Sequence, residues 1–136
     1  MMNPMAMDGR TVIVTGAGQG IGLAISRLVI ELGGQVVGVD MSAPTLESAA
    51  AGLPAGKFVP VVGSVTDQAV AHAAVAAGIS AFGSIDGLVN NAGISRPALI
   101  SKMSMESWQA VMDVHVNGSF LFTQAVGQHM LDRASA

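Results

Sequence analysis

The 136-residue sequence predicts an α/β fold, a doubly wound parallel sheet that is truncated after its fourth βα unit and has strand order 3-2-1-4. Three observations predict it. Short β-branched runs alternate with stretches of helical periodicity, a glycine cluster joins the first run to the first helix, and an aspartate closes the second run. Strands that alternate with helices run parallel, because each helix carries the chain back across the sheet in a right-handed crossover.

The elements follow in order. Thr11–Thr15 (T-V-I-V-T) is a buried strand by its β-branched content. Ile21, Ala24, Ile25, Leu28, Val29 and Leu32 then recur at helical spacing until Gly33 and Gly34 stop the helix. Residues 36–39 form the second strand, closed by Asp40, and residues 41–56, with Pro44 and Pro54, read as a loop with a weak helix. Residues 58–62 form a third strand, where Pro60 lacks a ladder donor and suits an edge. Asp67 caps a helix running to about Phe82. Residues 87–89 make the fourth strand, which ends in Asn90-Asn91-Ala92-Gly93. Ser104 is the N-cap of a long helix from Met105 to about Met130. No repeat or boundary divides the chain, so residues 1–136 read as a single, partial domain.

Composition narrows the function. Charged residues make up only 11% of the chain, against roughly 25% in ordinary soluble domains, so part of the surface is expected to lie against more protein. A net charge of −3 argues against nucleic acid, which requires a basic face. Without cysteine there is neither a disulfide nor a thiolate metal site, and His72, His115 and His129 are spaced for no metal motif. Residues 1–9 show no basic segment followed by an apolar run, and no apolar stretch is long enough for a membrane span; the expectation is a cytoplasmic protein.

The chemistry concentrates in Thr15-Gly16-Ala17-Gly18-Gln19-Gly20-Ile21-Gly22, between the first strand and its helix. Glycines let the chain turn sharply, bring backbone close to a pyrophosphate and pack the helix start on the strand. The free N–H groups and dipole at that helix start then hold phosphate charge. No lysine follows, which excludes a nucleoside-triphosphate loop. Asp40 closes the second strand, where a carboxylate accepts both ribose hydroxyls of an adenosine and repels a 2′-phosphate. No Arg or Lys lies between Arg27 and Lys57, so the expected cofactor is NAD rather than NADP.

Together these residues resemble the short-chain dehydrogenase/reductase family. Its pattern is met by the Thr-Gly-x-x-x-Gly-Ile-Gly turn at residues 15–22, by Asn90-Asn91-Ala92-Gly93, and by Asn117 in Val116-Asn117-Gly118. The resemblance implies a Rossmann-type fold and hydride transfer between NAD and an alcohol or carbonyl. It also implies residue roles. Backbone around Gln19, Gly20 and Ile21, in the cofactor-binding turn that includes Gly16, Gly18 and Gly22, would hold the pyrophosphate, Asp40 the ribose, and Asn90, Ala92 and Gly93 the adenosine side. Asn117 would support the catalytic lysine through a water. Where the family often has Asp-Val after the third strand, this chain has Ser64-Val65, which offers adenine a hydrogen bond without charge. The family's serine and Tyr-x-x-x-Lys are absent: the chain has no tyrosine, and its lysines, Lys57 and Lys102, precede Asn117. The 136 residues alone are therefore expected to be inactive.

A sheet ending in this way exposes an edge at its fourth strand, and the last helix is apolar on two stripes. Trp108, Met112, Val116 and Ser119 form one; Val111, Val114, Gly118 and Leu121 form the other. The expected partner is a second copy, through the helix at residues 105–130 and the strand edge. Trp108 and Met105 are read as helix packing rather than substrate contacts. Two other functions compete: a non-catalytic dinucleotide-binding or interaction module, and a methyltransferase using S-adenosylmethionine. Gly16-Ala17-Gly18-Gln19-Gly20 also fits the methyltransferase turn, but the Asn-Asn-Ala-Gly block and Asn117 tell against it.

Overall fold

The β-branched runs and helical repeats assemble into one parallel sheet in the order β3-β2-β1-β4, with helices on both faces. The structure, a computed structural model, describes residues 2–136; Met1, the first residue of the stretch read for a leader, lies outside it. The elements are β1 (Thr11–Thr15), α1 (Gly20–Glu31), β2 (Gln35–Asp40), α2 (Ala43–Ala51), β3 (Phe58–Val62), α3 (Gln68–Phe82), β4 (Gly87–Val89), α4 (Met105–Met112) and α5 (Gly118–Ala134). A π-helical turn, Asp113–Asn117, joins α4 to α5.

Successive side chains on a strand point to opposite faces, and this splits the core in two. Ile13, Val37 and Val39 pack with Val65, Ile85 and Phe122 under α3 and α5. Val12, Val14 and Val36 pack with Val29, Leu46 and Phe58 under α1 and α2. Phe122 is fully buried, and burying a side chain of that size contributes roughly 1.5–3 kcal/mol. The central strands β1 and β2 are apolar through both faces, as a covered parallel sheet demands. Pro60 lies on β3, which is an edge strand paired only with β2.

Two elements differ from the sequence expectation. Residues 41–56 hold a well-formed helix, α2, because the Ser42 hydroxyl accepts the Thr45 N–H at 3.3 Å and Pro44 occupies the first turn. The long last helix is not continuous. Ser104 caps it as expected, by accepting from Ser107 N–H at 3.1 Å, but the π turn interrupts it before α5 runs on to Ala134. A π turn inserts an extra residue and shifts the phase of everything after it. Of the two stripes, Val111, Val114, Gly118 and Leu121 are at least half-buried, whereas Trp108 (49% exposed), Met112 and Val116 (51%) face outward. Among the described residues, no helix is long and apolar enough to cross a membrane.

The N-terminal end of the sheet is closed by side chains. Asp86, just before β4, accepts the Thr11 N–H at 2.9 Å and pairs with Arg133 at 3.3 Å. Arg133 also donates to the Ile85 carbonyl at 3.0 Å, and His129 Nε2 accepts the Ile85 N–H at 3.0 Å. The far end of α5 is thus fastened to the starts of β1 and β4.

Candidate functional site

At the opposite, C-terminal end of the strands, the loop after β1 enters α1 on one face while the loop after β4 leads toward α4. Strand order reverses between β1 and β4, and α/β sheets bind ligands in the crevice outside such a switch point. A cleft of about 250 Å³ opens there, lined by Gly16, Gln19, Val39, Asp40, Met41, Gly63, Val65, Asn91, Ala92, Gly93, Ile94 and Val114.

Thr15, the last residue of β1 and fully buried, joins its two walls. Its hydroxyl accepts the N–H groups of Asn91 (3.0 Å) and Ala92 (2.9 Å), and the Asn91 side-chain amide donates to the carbonyls of Thr15 (3.1 Å) and Gly16 (3.3 Å). The glycine turn after β1 and the Asn-Asn-Ala-Gly segment after β4 are therefore one hydrogen-bonded unit. Gly16 has φ +66°, a conformation that side chains rarely adopt. Gly22, at the start of α1, packs so closely that a Cβ there would overlap the Gly16 carbonyl oxygen.

Asp40 closes β2 with its carboxylate held by two backbone donors, Gly18 N–H at 2.9 Å and Ser42 N–H at 3.1 Å. These bonds fix the carboxylate beside the glycine turn with acceptor capacity remaining, since an ionised carboxylate offers about four lone-pair sites. Arg27 lines a neighbouring groove with Gly18, Gln19 and Thr45.

Of the residues singled out from sequence, Gly16, Gln19, Asp40, Val65, Ala92 and Gly93 line the cleft itself. Gly18 lies under Asp40, and Gly20 and Ile21 stand on the rim at the helix start, Ile21 with 73% of its surface open. The Ser64 hydroxyl bonds Thr66 Oγ1 at 2.7 Å, leaving its neighbours Gly63 and Val65 to face the cleft. Asn90 turns outward to Thr123 (3.2 Å); the stitching amide is that of its neighbour Asn91, which the sequence motif contained without distinguishing the two. Asn117 is not brought to the cleft: it is exposed, and its amide donates to Asp113 one helical turn back at 2.8 Å. His115 reaches the loop after β4 instead, with Nε2 3.1 Å from Ile94 N and 3.0 Å from Ile94 O. Among the described residues, no cluster of His, Cys, Asp and Glu suits a metal ion.

Comparison with known proteins decides the family. The short chain dehydrogenase family model matches residues 10–136, nearly the whole chain. The chain belongs to the short-chain dehydrogenase family. It is 41% identical over 130 residues to the 3-oxoacyl-acyl-carrier-protein reductase of Thermotoga maritima, covering 93% of this chain and 52% of that one. It is 38% identical to the D-threitol dehydrogenase of Mycolicibacterium smegmatis (93% and 49% covered) and 38% identical to the gluconate 5-dehydrogenase of Gluconobacter oxydans (94% and 51%). A crystal structure of a short-chain dehydrogenase/reductase, a glucose/ribitol dehydrogenase from Brucella melitensis, superposes with a TM-score of 0.88 at 28% identity, over 92% of this chain and 53% of that one. The chain spans about half the length of the curated relatives it matches.

Proposed function

We propose that this chain is the NAD(H)-binding half of a cytoplasmic oxidoreductase, a single partial dinucleotide-binding domain, whose reaction moves a hydride between NAD and an alcohol or carbonyl. The observation that carries the proposal is the Asp40 carboxylate, fixed by Gly18 N–H and Ser42 N–H beside a glycine turn that opens α1. The residues present suit such a cofactor. The first N–H groups of α1 would meet a pyrophosphate and Asp40 the ribose, while Gly16 and Gly22 let the turn pack where a Cβ would collide with Asn91 or the turn's own backbone. A carboxylate at this point favours a free 2′-hydroxyl over a 2′-phosphate, hence NAD over NADP.

The relatives named above are by name a 3-oxoacyl-acyl-carrier-protein reductase, a D-threitol dehydrogenase and a gluconate 5-dehydrogenase, while this chain matches about half of each. The chain has no tyrosine and no lysine after Lys102, so it lacks a Tyr-x-x-x-Lys pair and is expected not to turn over substrate by itself. NADH titration tests the reading. Saturable enhancement of NADH fluorescence is expected, with affinity falling about ten- to a hundredfold in Asp40→Ala; no saturable binding by the folded wild-type chain would overturn it.

The proposal extends to a second copy of the chain as partner, seated on the outward stripe of α4 and on the β4 edge, which pairs only with β1. An outward Trp108 beside Met112 and Val116 is an apolar face that the described residues leave uncovered. Light scattering is expected to give a mass above that of one chain, reduced by Trp108→Glu; a monomer unaffected by the substitution would refute the extension.

A further inference from the structure

Beyond β4, residues 90–99 run as irregular chain. Their first part is held by Thr15, through Asn91 and Ala92. After Ala92 that support ends. Among the described residues, the hydrogen bonds tying residues 93–98 to the rest of the protein are those of His115 Nε2 at Ile94, 3.1 Å from the amide nitrogen and 3.0 Å from the carbonyl oxygen.

One ring nitrogen cannot donate and accept at once. With its proton on Nδ1, His115 accepts the Ile94 N–H; with a proton on Nε2, it donates to the Ile94 carbonyl. Either form holds the same residue, so the contact persists whichever tautomer is present. Gly93 makes the room for it: a Cβ there would lie 2.5 Å from the ring's Cε1 and 2.9 Å from Nε2. The ring comes from the π turn between α4 and α5, which widens the helix where His115 leaves it. Gly93 and Ile94 line the cleft that also contains Asp40 and Gly16; His115 itself stands behind them.

We infer that His115 is a positioning residue of the dinucleotide cleft, its imidazole holding the wall formed by Gly93 and Ile94 in the shape the ligand needs. The inference rests on the reading of that cleft as an NAD(H) site. A wall released from its pin occupies the competent position only part of the time, and apparent affinity falls by that fraction.

The test compares wild type with His115→Ala, His115→Phe and His115→Gln. The phenylalanine keeps a ring beside Gly93 and loses both bonds; the glutamine restores an amide that can donate or accept at Ile94. Backbone order parameters of residues 93–95, measured without ligand, are expected to fall from about 0.85 to below about 0.6 in the alanine and phenylalanine variants and to recover in the glutamine variant. NADH affinity is expected to weaken about three- to tenfold in the first two and to return with glutamine. Unchanged order parameters in His115→Ala would overturn the inference, as would a mobile loop with unaltered NADH affinity. Because the order parameters need no ligand, failure of the pin is told apart from failure of the wild-type chain to bind NADH, which would remove the reading beneath it.

Discussion

The two ends of the sheet solve opposite problems with the same strands. At the N-terminal end, polar groups at the strand starts are answered within the chain: Asp86 takes the Thr11 N–H, Arg133 the Ile85 carbonyl, and His129 the Ile85 N–H. At the C-terminal end, the bonds among Thr15, Asn91 and Gly16 fix the shape of the cleft, and the Asp40 carboxylate is held beside the turn that opens α1. One end closes the fold, and the other holds the cleft in which we propose that a dinucleotide binds. Substitutions at the two ends should therefore separate stability from binding.

The largest effect is expected where both requirements meet. Gly22→Val would drive a side chain into the Gly16 carbonyl, costing about 1–3 kcal/mol of stability by overpacking and abolishing measurable NADH binding; urea unfolding and fluorescence titration together check it. Asp86→Ala comes next. It leaves the buried Thr11 amide without its acceptor, a loss of roughly 1–3 kcal/mol, and NADH affinity of the folded fraction is expected to stay within about twofold because no cleft residue is touched. If Asp86→Ala weakened NADH as much as Asp40→Ala, the division between the ends would fail. Asp40→Ala is expected to reverse the pattern, with its binding loss accompanied by a stability change within about 1 kcal/mol in urea, since Gly18 and Ser42 can turn to water. The smallest effect belongs to Asn90→Ala. Its amide reaches only an exposed Thr123, so stability should move by no more than about 0.5 kcal/mol and NADH affinity should hardly change.

How much of this was readable from residues alone varies along the chain. The sheet order and the cleft walls follow from strong local signals: β-branched runs, a glycine turn with an acid one strand away, and alternating periods. The α2 helix was legible only as a weak one, because Pro44 and Pro54 flank its alanines and prolines commonly mark loops. Asn90 and Asn91 look alike in sequence; only the alternation of side chains at the end of β4 turns Asn91 to the glycine turn and Asn90 to solvent. Asn117 and His115 differ for another reason. Regular helical spacing cannot anticipate the π turn at Asp113–Asn117, within which His115 meets Ile94 and Asn117 faces Asp113.

Asp40, at the mouth of the glycine turn, is proposed to select a dinucleotide with a free ribose. Calorimetric titration of the wild-type chain with NADH and, separately, NADPH is the decisive experiment. NADH is expected to bind at least about tenfold more tightly, a difference of roughly 1.4 kcal/mol. Equal affinities, a preference for NADPH, or no heat with either nucleotide would contradict it.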